Sequence, residues 1–179
     1  ERYEFLKHQK EDLIKAEQSL LDIIVEITKK MEEQFKEKFK IIRENFNQTF
    51  RELFEGGYAD LRLENEDVLN SGIEIIVQPP GKKLQSLSLL SGGERGLSAI
   101  ALLFAILKMK PTPFCVLDEI EAALDDANVN RFAKFLKEYS KNTQFIIITH
   151  RKGSMAVADA LYGVTMEEKG VSKLVSIKL

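Results

Sequence analysis

Cysteine and proline are scarce in this chain, with one cysteine and four prolines among 179 residues. A single cysteine excludes a disulfide framework or a cysteine metal cluster within the chain. Its place in the apolar run Phe114-Cys115-Val116-Leu117 predicts a small buried hydrophobe. No apolar run approaches the roughly 18 residues that a membrane helix needs, and no signal-peptide pattern appears. A cytoplasmic chain without membrane contact is therefore expected. The formal charge of −2 gives no strong overall pull toward nucleic acid, and Lys82-Lys83 and Arg151-Lys152 read as solvated loop pairs. A phosphate-cradling loop, Gly-x-x-x-x-Gly-Lys followed by Ser or Thr, is also missing. Gly81 is the only glycine followed by lysine; Ile76 stands five residues before it and Lys83 follows. Alone, the chain is expected to bind ATP weakly or not at all.

The first 55 residues contain neither glycine nor proline, so nothing in them interrupts a helix. Leu6, Leu13, Leu20, Ile24, Ile27 and Met31 follow the 7- and 3/4-residue spacing of a coiled-coil seam. Fully helical, the segment would reach roughly 80 Å. Beyond Met31 the apolar steps (Phe35, Phe39, Ile42, Phe46, Phe50, Leu53) break the heptad and predict a stripe that docks on a globular body. An amphipathic helix folded back on its own domain is the competing reading. Gly56-Gly57 is expected to end the helix, which divides the chain into 1–55 and 56–179. Tyr58–Leu63 and Ile73–Gln78 read as strands joined by the turn-prone segment between them, and Pro79-Pro80-Gly81 as a stop. With 44% hydrophobic and 30% charged residues, the chain can bury a core beneath a solvated surface.

Four stretches carry candidate chemistry. Leu90-Ser91-Gly92-Gly93-Glu94 opens an apolar helical segment, and a serine and two glycines at a helix start present N–H groups and a hydroxyl to a phosphate oxygen. The ordinary alternative is a serine N-cap with glycines in a turn. Gly96, inside that helix, costs about 1 kcal/mol relative to alanine. Phe114–Leu117 reads as a short buried strand ending in Asp118-Glu119. Successive strand residues point to opposite sides, so the two acids are expected to differ in role, Asp118 for Mg²⁺ through its water shell and Glu119 for an attacking water. Both acids could instead cap the next turn. Ala122-Ala123-Leu124-Asp125-Asp126 forms an acidic turn, with Asp126 the expected N-cap of a helix over Ala127–Tyr139. A second strand, Gln144–Ile148, ends at Thr149-His150, where a lone histidine is often only a surface residue. A helical piece over Ser154–Ala160 and two strands, Leu161–Met166 and Val171–Ile177, are expected to follow.

In this order, Leu90–Glu94, Phe114–Glu119, Ala123–Asp126 and Thr149–His150 resemble the signature motif, Walker B strand, D-loop and switch histidine of ABC-type ATPases. Glu94 stands where transporters usually carry glutamine, and Ile120–Ala123 replaces their Pro-Thr step. Both features, with the charged helix upstream and the flanking runs Pro79–Ser88 and His150–Met155, are similar to the SMC (structural maintenance of chromosomes) ATPases, bacterial type. The resemblance runs from about Phe46 to Leu179. It implies an α/β fold, the C-terminal lobe of an ABC-type ATPase head carrying one long N-terminal coiled-coil helix, the stump of a returning arm. It implies ATP and Mg²⁺ as cofactors, and an N-terminal lobe of the same protein to supply the missing Walker A phosphate loop.

On that basis Asp118 would support Mg²⁺, Glu119 would orient the water and His150 would contact the γ-phosphate. Ser91, Gly92 and Gly93 would close in trans over the ATP of a second head, as a homodimer, with Asp125 at the dimer seam. The isolated chain would be inactive. A kleisin subunit and DNA are the further partners implied, with a nucleoid-associated location in the cytoplasm. The alternatives are the head of a coiled-coil ATPase of double-strand-break repair, or a catalytically silent dimerisation module. Glu94 and Ile120–Ala123 fit a transporter domain poorly.

Overall fold

The computed structural model describes residues 1–178; Leu179, the last residue of the expected 56–179 domain, lies outside them. The chain forms two compact units, Glu1–Ile41 with Leu63–Ile73, and Ile42–Arg62 with the chain from Glu74 onward. Helix α1 is continuous over Arg2–Phe54, as a stretch free of glycine and proline permits. In the first unit, its expected seam residues Leu6, Leu13, Leu20, Ile24, Ile27 and Met31 are all exposed. Pairs one turn apart, such as Lys30 to Glu26 at 2.6 Å, line its surface. In the segment between Leu63 and Ile73, the Glu64 N–H donates to the Gly72 carbonyl at 3.0 Å.

In the second unit the last turns of α1 bury Phe46, Phe50, Leu53 and Phe54, with the Phe50 and Phe54 rings stacked at 4.0 Å. The helix stops one residue earlier than the glycine pair suggests. Glu55 itself adopts a left-handed φ of 58°, and the Gly56 N–H donates back to the Arg51 carbonyl at 2.9 Å. That six-to-one closure satisfies a carbonyl the helix would otherwise leave open. Strands β1 (Tyr58–Leu63), β2 (Ile73–Gln78) and β3 (Gln85–Ser86) form a sheet in that order. β3, too short to show a pattern in sequence, pairs antiparallel with β2 through Ile76 and Ser86. Asp60 on β1 is buried and accepts both arms of the Arg43 guanidinium of α1.

Helix α2 (Gly92–Met109) is followed by β4 (Phe114–Asp118), α3 (Asp126–Tyr139) and β5 (Gln144–Ile148). β4 and β5 are parallel, with Val116 opposite Ile146 and Asp118 opposite Ile148, so α3 is the crossover that a parallel pair requires. The core joins Leu97, Ile100 and Phe104 of α2 to Val129, Phe132 and Leu136 of α3. Phe104 is its centre, with the rings of Phe135 at 5.0 Å, Tyr139 at 5.2 Å and Phe145 at 5.8 Å. Cys115 is half-buried rather than enclosed, because only one side of β4 meets this core.

One expectation fails in this region. The helix expected over Ser154–Ala160 is the single turn α4 (Lys152–Met155), because the Ala158 N–H closes on the Met155 carbonyl at 3.2 Å and ends it. The chain then extends into β6 (Ala160–Glu168), which pairs antiparallel with β7 (Val171–Lys178) around a turn at Gly170. The hairpin exposes Tyr162, Val164, Met166, Leu174 and Ile177. Among the described residues no helix is long and apolar enough to cross a membrane.

Candidate functional site

The signature run is a helix start built as a capping box. Ser91, in extended backbone, is the N-cap: its Oγ accepts from the Glu94 N–H at 3.4 Å while the Glu94 carboxylate reaches back to the Ser91 N–H at 3.2 Å. Gly92 and Gly93 lie in the first helical turn, not in a loop before it. Ser91 is exposed, but its hydroxyl is not idle, since it donates to Glu94 Oε2 at 2.8 Å. The Lys82 ammonium beside Glu94, and then the Ser91 donors, hold that carboxyl below the usual carboxylate range. Lys82, exposed on its loop, is thus also paired with Glu94.

Gly93 faces the start of α3. A Cβ there would lie 3.3 Å from both Asp125 Oδ2 and Asn128 Nδ2. One turn on, a Cβ on Gly96 would lie 3.2 Å from Leu124 Cδ2. The mid-helix glycine read as a simple cost lets the acidic turn pack closely against α2. The cap of α3 is Asp125 rather than Asp126: its Oδ1 accepts the Asn128 N–H at 2.8 Å and its Oδ2 the Asn128 side-chain amide at 3.2 Å. Asp126 is the first helical residue, where an acid also suits the helix dipole. Ser91, Glu94, Asp125, Asn128 and Arg131 share one cleft of about 490 Å³ with Pro79 and Pro80.

The second group stands at the ends of the parallel strands. Asp118 is the last residue of β4 and is exposed, on the same side as Phe114 and Val116. Glu119 does not continue the strand. It takes a left-handed φ of 45°, although its N–H still donates to the Ile148 carbonyl at 3.0 Å. This turn, more than strand alternation, separates the two acids, and a non-glycine residue in this region carries a strain of order 1–3 kcal/mol. The Glu119 carboxylate comes within 3.3 Å of His150 Nδ1, so the structure brings these two expected site residues together. Both are exposed. Among the described residues no group of three or more His, Cys, Asp and Glu could hold a metal by itself.

Sequence reasoning missed the fastening beneath these groups. Glu121, only 1% exposed, accepts the Thr149 hydroxyl at 2.6 Å and the Ser154 hydroxyl at 2.8 Å on one oxygen. Arg151 donates to the carbonyls of Ala122 at 3.2 Å and Leu124 at 2.9 Å. The residues on either side of His150 are thereby tied to the turn that carries Asp125. The signal in sequence was faint: a glutamate among alanines, and hydroxyl residues flanking a histidine and an arginine.

A sequence model of the family described as "RecF/RecN/SMC N terminal domain" matches residues 2–173. That description names an N-terminal domain, so it does not bear out the expected place at the C-terminal end of the whole protein. The chromosome partition protein Smc of Clostridium kluyveri is 66% identical over 175 residues, which cover 98% of this chain and 15% of that protein. The chain spans about the same small share of the other curated relatives it matches, including Smc of Bacillus subtilis at 63% identity. Among solved structures, the Pyrococcus furiosus Smc head domain with an extended coiled coil, bound to the C-terminal domain of ScpA, aligns with a TM-score of 0.76 at 47% identity. It covers 99% of this chain and 44% of that one. These heads share the α/β architecture and the long N-terminal helix seen here. On a family match across most of its length and identities of this size, the chain belongs to the SMC family.

Proposed function

We propose that this chain is one lobe of an SMC-type ATPase head, the lobe that lacks the phosphate loop, and that it completes an ATP site when a second lobe supplies that loop. One observation carries the reading. Phe114, Val116, Ile146 and Ile148 of the parallel pair β4–β5 are 49–55% exposed, whereas parallel strands are ordinarily covered on both faces. Asp118 ends that same open face. A lobe laid against it would cover apolar surface and bring its nucleotide to the acids in one step. The C-terminal position of this lobe in the whole protein is part of the proposal, supported by the missing phosphate loop and the order of the motifs.

Each site residue then has a task. Asp118 offers one hard oxygen at an exposed strand end, which suits Mg²⁺, an ion that takes one or two carboxylates and fills its shell with water and phosphate. When bound, the ion neutralises charge on the phosphates in transfer. Glu119 orients and deprotonates the attacking water, held by the left-handed turn and by His150. His150 donates toward the γ-phosphate. Ser91, Gly92 and Gly93 receive the γ-phosphate of ATP on a second head, and Asp125 sits at that seam, which its shared cleft with Ser91 supports. ATP joins two copies and hydrolysis releases them.

A solved structure from work on ATP-driven dimerization and DNA-stimulated activation of SMC ATPases, with a TM-score of 0.77 at 47% identity over 82% of this chain and 89% of that one, supports the same cycle. The ScpA-bound head supports a kleisin subunit as a further partner, and the exposed apolar residues of the β6–β7 hairpin support that hairpin as its face. DNA lies near the engaged heads, in chromosome partition at the nucleoid. Mixing the chain with a phosphate-loop lobe is expected to give Mg²⁺-dependent ATP hydrolysis that neither part has alone. Glu119→Gln should abolish turnover and leave ATP binding intact. Undiminished turnover in Ser91→Arg would sink the trans assignment.

A further inference from the structure

The two donors at the front of the signature motif are already in use. The Ser91 hydroxyl and N–H both point at Glu94 Oε2, at 2.8 Å and 3.2 Å. A phosphate oxygen arriving at Ser91 competes with a carboxylate for the same donors, and both are anions. The Lys82 ammonium spans that carboxylate, 2.9 Å from Oε2 and 2.8 Å from Oε1. Its approach is fixed by the turn before it, where Gly81 has a φ of 76° and the Lys82 N–H donates to the Pro79 carbonyl at 3.0 Å. The neighbouring cations are spent elsewhere. Arg95 donates to the carbonyls of Ser88 and Leu90, and Arg131 donates to the Asn128 side chain and pairs with Glu55.

Resting on the reading of Ser91 as a seat for a partner's ATP, we propose that Lys82 is a positioning residue for the signature motif: it neutralises Glu94 and retains its carboxylate when Ser91 turns to the γ-phosphate. Rotation about the Ser91 Cβ–Oγ bond turns the O–H away while Oγ still caps the Glu94 N–H, and Glu94 keeps both oxygens on the ammonium, so no partly buried charge loses its last partner. Without Lys82 the carboxylate holds Ser91 as its remaining donor and sets a bare negative charge beside an incoming one. Glutamine in place of Glu94 would need no cation, since it brings no charge.

The test uses the full-length protein and reads ATP-dependent head engagement by crosslinking, together with steady-state ATP hydrolysis. Lys82→Ala is expected to weaken both by about tenfold or more, the size of effect that one uncompensated like charge produces. Lys82 is half exposed, so its melting temperature and its binding of ATP in the unengaged state should be unchanged. Adding Glu94→Gln to Lys82→Ala should recover most of the loss. Engagement in Lys82→Ala equal to that of the unaltered protein, with Ser91→Arg inactive, overturns the role of Lys82 alone. A loss in Lys82→Ala that Glu94→Gln does not relieve overturns it equally. Full activity in Ser91→Arg removes the phosphate seat, and the inference falls with it.

Discussion

Asp60 shows what a single enclosed carboxylate contributes. The Arg43 guanidinium, with Arg62 at 3.4 Å, holds its carboxyl below the usual carboxylate range against the opposing effect of burial. A group whose folded pKa is depressed adds stability above its unfolded value near 4, and that stability drains away as pH falls through the folded value. Asp60→Asn is therefore expected to cost about 1–3 kcal/mol at pH 7, since Arg43 is half exposed and can rehydrate. In urea melts, the difference between variant and parent should shrink below about pH 4. A cost that stays constant down to pH 2 would mean that packing, not charge, dominates at this site.

At the scale of elements, the joint between α2 and α3 depends on Phe104, which is fully buried among four other rings. Phe104→Ala should cost about 3–5 kcal/mol in equilibrium unfolding, whereas Leu103→Ala, on the exposed side of the same helix, should cost far less. Elements of this kind were legible in the sequence. Gln144–Ile148 is bounded as its apolar run implies, and α1 follows from the absence of helix breakers. What remained hidden depends on the path of the chain through space. Asp125 and Asp126 are adjacent acids, and only the approach of Asn128 decides which one caps. Glu119 is left-handed because its N–H must still reach Ile148, a condition set by a strand that comes much later in the chain. Lys82 finds Glu94 only after a turn and a short 3-10 segment bring the two together. In each case the side-chain chemistry was readable and the partner was not.

For the molecule as a whole, a lobe covering the open side of β4–β5, as proposed, would make folding stability depend on association. A phosphate-loop lobe that binds the folded chain alone should stabilise it by about 2.7 kcal/mol at a hundredfold excess over its Kd. A melting temperature that climbs with partner concentration, and fails to climb when Val116→Glu charges the open face, is the expected result. A melting temperature indifferent to the partner would place that lobe elsewhere. The fastening at Glu121 carries a different consequence, for how such a protein can change over generations. One buried oxygen serves Thr149 and Ser154 on either side of the residue that meets Glu119, while Arg151 between them grips the turn bearing Asp125. Substitutions at these positions share partners, so their effects are non-additive and each acceptable change depends on which of the others came first. Drift at this junction is confined to a few ordered routes, and the residues proposed for catalysis and for the seam are bound to a common evolutionary history.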